Sequence, residues 1–174
     1  MPIIYISGPA GSGKSTICNE LHTRTYKAFD ADKNGISFWR NKETKASVFR
    51  SSAIKGRNNK WYAKHDWVMN RLKLEKIAAI AKNETVFLCG STANENEMLD
   101  QFQKVFYLKI DEPTMIKRLK ERTNHDYGKA PDELMNELQR RKGNEEKFER
   151  LGATMLDATM PLNELCDIII QASK

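Results

Sequence analysis

The sequence predicts an α/β fold of three layers, a parallel sheet with helices on both faces. Short apolar strands alternate with stretches of helical periodicity along the whole chain. The strands are continuously apolar rather than alternating, as expected when both faces of a sheet are covered. A glycine-rich turn joins the first strand to the first helix. With 174 residues, 40% of them hydrophobic, the chain is expected to form a single domain over 1–174 with one substantial core.

The first strand covers residues 3–7, Ile-Ile-Tyr-Ile-Ser, and ends at Gly-Pro-Ala-Gly-Ser-Gly. Ile17, Cys18 and Leu21 recur at helical spacing and place a helix over 14–24. A second strand at 26–29 ends at Asp30, and an irregular basic segment follows, with a hairpin expected between Ile36 and Phe49. Trp67, Val68, Leu72, Leu74, Ile77, Ala78 and Ala81 supply one apolar face for a helix over 60–82. Strands are expected at 86–89 and 105–110. Asp111 then serves as N-cap, with Pro113 in the first turn of a helix through Arg122. A polar loop, 123–130, leads into a long charged helix over 131–151, a fifth strand at 154–156 and a last helix over 160–170.

No apolar run approaches the roughly 20 residues that cross a bilayer, and the N-terminal residues lack the pattern of a signal peptide. A cytoplasmic protein without membrane contact is the expectation. Cys18, Cys89 and Cys166 lie far apart in apolar segments and read as buried reduced thiols. The net charge of +6 is unevenly placed: residues 40–73 hold ten bases against two acids, so the rest of the chain is slightly acidic. That excess fits an anionic partner, or a solvated basic surface.

Gly8-Pro9-Ala10-Gly11-Ser12-Gly13-Lys14-Ser15 matches the phosphate-binding pattern G-x-x-x-x-G-K-[ST], between a strand and a helix. Gly8, Gly11 and Gly13 let the backbone curl round a triphosphate, so that amides from Gly8 to Thr16, Ser12 included, face it together with the positive helix end. Lys14 reaches the β- and γ-phosphates, and the Ser15 hydroxyl ligates Mg²⁺. ATP and Mg²⁺ are the cofactors this predicts.

Phe29-Asp30-Ala31-Asp32 leaves two carboxylates at the end of the second strand, beside the phosphate site. Here the chain resembles the small P-loop kinases of the shikimate, gluconate and nucleoside-monophosphate kinase group, above all the shikimate-kinase-like members. The resemblance implies a five-stranded parallel sheet in the order 2-3-1-4-5, an acceptor-side insertion over 33–73 and a lid over 123–130. It also implies that Asp30 helps place magnesium, while Asp32 accepts hydrogen bonds from an acceptor hydroxyl or acts as base. Gly90-Ser91-Thr92 falls where that group carries an acceptor loop. Arg118 and Arg122 fall at its adenine-packing and lid positions, where a cation neutralises charge on the transferring group; Lys129 stands at the lid tip in place of the usual arginine. Ala158 and Thr159 fall where backbone groups read the adenine edge.

Strand 86–89 ends in Leu-Cys-Gly without an acid, which favours kinases over motor-type ATPases and leaves Asp30 as the substitute. The insertion holds Trp39, Trp61, Tyr62, His65, Asp66 and Trp67 among its bases. Aromatics beside Lys and Arg suit a nucleoside, a nucleotide or a nucleic-acid end; tryptophans also serve as ordinary packing. The glycine loop and lid differ from the shikimate pattern, so shikimate itself is not the expected acceptor. The expected function is transfer of the γ-phosphate of Mg-ATP to a hydroxyl or phosphate of a small, anionic or nucleoside-like acceptor, with Lys14, Asp32 and Arg122 carrying the chemistry. A polynucleotide 5′-kinase and an ATP-dependent interaction module are the alternatives.

Overall fold

A computed structural model describes residues 3–48, 58–123 and 127–174. Phe49, the expected end of the hairpin, the bases Arg50, Lys55 and Arg57, and residues 124–126 of the expected lid lie outside the described residues. Strands β1 (Ile3–Ser7), β2 (Lys27–Asp30), β6 (Val86–Cys89), β7 (Phe102–Lys109) and β8 (Thr154–Asp157) form one sheet in the order β2-β6-β1-β7-β8, every pair parallel. With the insertion's own strands set aside, this is the order 2-3-1-4-5 expected from the sequence.

Both faces of the sheet are covered, which is why its strands read as continuous apolar runs. Ile4, Ile6, Phe87, Phe106 and Leu108 face one way, against helices α1 (Lys14–Thr23), α4 (Glu112–Glu121) and α6 (Leu162–Gln171). Ile3, Tyr5, Val86, Leu88 and Tyr107 face the other, against α3 (Arg71–Ile80) and Phe148 of α5 (Pro131–Arg150). Each fully buried aliphatic or Phe side chain contributes roughly 1.5–3 kcal/mol relative to exposure. The α4 cap is as expected, with Asp111 accepting the Thr114 amide at 2.9 Å.

The insertion departs from expectation. Residues 60–82 are not one helix but α2 (Asn59–Lys64), strand β5 (His65–Met69) and α3. Strand β5 pairs antiparallel with β3 (Ser37–Asn41), which also pairs with β4 (Ser47–Val48), so the hairpin exists but inside a three-stranded sheet. Asn70 breaks the helical run by capping α3, its side chain accepting the Lys73 amide. The small sheet is fixed to the main one by Asn94, buried after β6, whose amide exchanges two hydrogen bonds with the backbone of Met69. Ala93 adds a third, donating to the Trp67 carbonyl at 2.8 Å.

Candidate active site

Helix α1 starts without a side-chain cap, Gly13 preceding it at φ 93°. Of the amides expected to face a triphosphate, that of Ser12 bonds the Pro9 carbonyl at 3.2 Å and that of Thr16 the Gly13 carbonyl at 3.0 Å, which leaves the Lys14 and Ser15 amides at the helix start for an anion. Gly11, at φ 82°, needs the same left-handed freedom. Gly8 is required for a different reason, since a Cβ there would stand 2.8 Å from Ser12 Oγ and 3.0 Å from the Leu108 carbonyl oxygen. The Lys14 ammonium donates to the carbonyls of Gly8 (2.6 Å) and Pro9 (2.8 Å). Burial lowers the Lys14 pKa, opposed by the charges of Asp32, Glu137 and Asp30.

Asp30 ends β2 and is buried. Its Oδ2 accepts the Ser15 hydroxyl at 2.6 Å, and its Oδ1 accepts the amides of Asp32 and Lys33 at 3.0 and 3.1 Å, which shapes the turn carrying Asp32. Hydroxyl and carboxylate thus meet as two hard oxygen donors, the set that suits magnesium alongside phosphate oxygens and water. Among the described residues no cluster of three or more His, Cys, Asp or Glu side chains offers a metal site of the all-protein kind. Asp32 Oδ1 accepts the indole N–H of Trp67 at 2.9 Å.

A cavity of about 1130 Å³ joins these parts. Loop residues 9–17, with Thr16 among them, line it together with Arg118, Arg122, Ala158 and Met160, as do Asp30, Asp32, Lys33, Trp39, Trp67 and Ser91, and Tyr127, Lys129, Glu137 and Arg140. Gly90 itself stays behind this wall: an added Cβ would lie 2.7 Å from the Ala31 Cβ. Arg118 reaches the Ala158 carbonyl at 3.1 Å and the Gly11 carbonyl at 3.4 Å, tying the loop after β8 to the phosphate loop.

The backbone after β8 is largely engaged within the protein. The Ala158 amide donates to the Lys109 carbonyl, and the Thr159 amide and hydroxyl both donate to Asp157. Thr159 is exposed and does not line the cavity, whereas Ala158 does. Trp67, which the helical reading of 60–82 put on an apolar helix face, instead reaches the cavity from a strand. Trp61 and Tyr62 pack round Trp39, with ring centroids 4.7 and 5.9 Å from it, behind the wall.

Glu137 was hidden among the charges of its helix, where no single-sequence signal distinguishes it. It is buried on α5, accepting the Ala10 amide at 3.2 Å, the Tyr127 hydroxyl at 2.7 Å and Arg140 at 3.3 Å. Burial, with Glu137 alongside, holds the Tyr127 phenol well above its ordinary pKa, so it stays a donor. A second unforeseen acid, Glu95, is buried behind the loop and accepts from Tyr5, Ser7 and Lys147. Cys18, Cys89 and Cys166 are buried and free. Among the described residues no helix is long and apolar enough to cross a membrane.

A family model described as AAA domain (AAA_18) matches residues 4–150. No curated protein matches the chain. Solved structures with a similar fold include a shikimate kinase from Acinetobacter baumannii in complex with shikimate, 17% identical, with TM-score 0.60 over 99% of this chain and 92% of that one. A gluconokinase from Sinorhizobium meliloti 1021 is 16% identical, with TM-score 0.56 over 99% of this chain and 93% of that one. A deoxyadenosine kinase from M. mycoides with bound dATP is 17% identical, with TM-score 0.56 over 98% of each chain. At such identities the likeness establishes a shared P-loop fold.

Proposed function

The chain belongs to the AAA domain family AAA_18, and we propose that it is an ATP-dependent kinase, moving the γ-phosphate of Mg-ATP to a hydroxyl or phosphate of a small acceptor. The observation that carries the proposal is the pair of carboxylates after β2. Asp30 is bonded to the phosphate-loop serine, and Asp32 lies two residues on, in the same cavity and facing its aromatic side. A site that only bound nucleotide would have no need of the second acid. The kinase folds among the similar structures agree with this reading without naming the acceptor.

Each residue then has a task. The loop amides and Lys14 bind the phosphates, and Lys14 with Arg122 offsets charge developing on the transferred group. Ser15 and Asp30 would hold magnesium, which neutralises phosphate charge when bound. Asp32, with one oxygen fixed by the Trp67 indole, orients an acceptor hydroxyl and takes its proton as transfer proceeds. Arg118 packs on the adenine side, next to Ala158.

The test is incubation with ATP labelled in its terminal phosphate, with magnesium and a panel of sugars, sugar acids, nucleosides and nucleoside monophosphates. Label should pass to one class of acceptor, and that class should raise turnover above basal ATP hydrolysis. ATP binding with no acceptor raising turnover would end the kinase reading and leave an ATP-dependent interaction module.

A further inference from the structure

Helix α2 buries none of its six residues, so packing on the core does not fix it. It is tied instead to the first turns of α5, where Asn136 donates to the Asn59 side chain at 2.9 Å and Glu133 Oε1 accepts the Tyr62 hydroxyl at 2.6 Å. A spacing of three on each helix puts both bonds on one face of each. Tyr62 and its neighbour Trp61 back Trp39, which lines the cavity. The place of α2 therefore decides where that part of the cavity wall stands.

The other oxygen of Glu133 accepts the Gly128 amide at 2.8 Å, a local contact five residues away, whereas Tyr62 lies 71 residues away. Next to Gly128, the Tyr127 hydroxyl donates to Glu137, one turn along the same face of α5, and Glu137 accepts the Ala10 amide of the phosphate loop. The Tyr127 ring also meets that of Tyr62 edge-on, with 6.4 Å between centroids. Tyr127 and Lys129 line the cavity together with the phosphate loop, so a nucleotide there bears on the segment that Glu133 holds.

We propose that Glu133 is a positioning residue that couples the two halves of the site: one oxygen holds the segment around Gly128, the other holds Tyr62 behind Trp39, so that nucleotide in the phosphate loop favours α2 docked on α5. The inference rests on reading the loop as a nucleotide site and the Trp39 wall as the acceptor side. The two-state element is α2 itself, docked or released, which hydrogen bonds and ring contacts hold in place of a buried core. Such coupling is reciprocal, so an acceptor held against Trp39 tightens nucleotide binding by the same factor. Its scale is that of one hydrogen bond to a charged acceptor, about tenfold.

The test is hydrogen exchange read by mass spectrometry on wild type, Tyr62→Phe and Glu133→Ala, each with and without magnesium and a saturating non-hydrolysable ATP analogue. Thermal melts establish that each variant is folded, and Glu133→Ala carries the comparison if Tyr62→Phe is not. The readout is the segment 59–64, chosen to avoid β5, where Trp67 has its own tie to Asp32. In wild type the analogue should slow exchange in 59–64 by about tenfold, alongside residues 10–17 of the loop. Tyr62→Phe should keep the loop protection but slow 59–64 by less than about twofold, and its affinity for the analogue, measured by calorimetry, should fall by no more than about tenfold. Faster exchange in the variant with the slowing by analogue intact would make Tyr62 a structural contact only and overturn the coupling. Loop protection in wild type with 59–64 unmoved would overturn it too, and either result leaves the donor site standing. Absence of both loop protection and analogue binding in wild type would overturn the donor reading and this inference with it.

Discussion

Replacing Glu95 by alanine should cost about 3 kcal/mol of folding stability. The side chain is 1% exposed and links three elements: it accepts the Tyr5 hydroxyl at 2.9 Å and the Ser7 hydroxyl at 3.2 Å from β1, and the Lys147 ammonium at 2.9 Å from α5. Losing one partner of a buried ion pair costs roughly 3–5 kcal/mol. The Lys147 side chain is 24% exposed and can recover some hydration, which favours the lower end. Tyr5 keeps the Gly90 carbonyl as acceptor at 3.1 Å, so its hydroxyl adds little to the loss. Lys147→Met should be about as harmful, because it leaves the Glu95 charge held only by hydroxyls. The double variant Glu95→Met with Lys147→Met should be milder than either single change, since exchanging a buried pair for apolar side chains is often neutral. Urea unfolding of wild type, Glu95→Ala, Glu95→Met, Lys147→Met and the double variant measures this; for a chain of this size the single variants should also melt roughly 6–12 °C lower. A Glu95→Ala loss below about 1 kcal/mol, or a double variant as unstable as the sum of its singles, would refute the reasoning.

Other outcomes follow from the site. Gly8→Ala should fold but bind nucleotide at least about tenfold more weakly, because the new Cβ forces the loop off Ser12 and the Leu108 backbone; calorimetry reads this directly. Lys14 carries a lowered pKa and binds phosphate only as the ammonium, so nucleotide affinity should be flat at lower pH. It should fall by up to about tenfold per pH unit once pH rises through the lowered value, below the ordinary 10.5. The sign for stability is opposite, because the unfolded chain binds the proton more tightly and the penalty of burying the ammonium is relieved as pH rises. Trp67→Phe keeps a ring but removes the N–H that holds Asp32; acceptor-stimulated turnover should drop roughly tenfold with ATP affinity unchanged, and an equal loss in ATP binding would speak against that division.

The central sheet was legible in the sequence because its strands carry short apolar runs punctuated by Gly8, Asp30, Gly90 and Asp111, all local signals; β7 starts at Phe102, three residues before the expected 105, because Gln103 and Lys104 interrupt its apolar run. The pairing of Ser15 with Asp30 was legible too, since a phosphate loop and the next strand end must converge in a parallel sheet. The insertion was not. His65–Met69 owes its strand to partners in Ser37–Asn41, a pairing that propensity cannot see, and its apolar residues ran into the true periodicity of α3 across Asn70. Asn70 was the available clue, a capping residue just before Arg71. Glu95 and Glu137 escaped notice because a glutamate in a charged stretch declares nothing until the fold brings Lys147, Tyr127 or the Ala10 amide to it.

The account stands most directly on Asp32. Asp32→Asn should abolish acceptor-stimulated turnover, by about a hundredfold or more on the scale of a lost general base, while ATP affinity and acceptor-independent hydrolysis stay within a few-fold of wild type. Acceptor-stimulated turnover at the wild-type rate in that variant would contradict it.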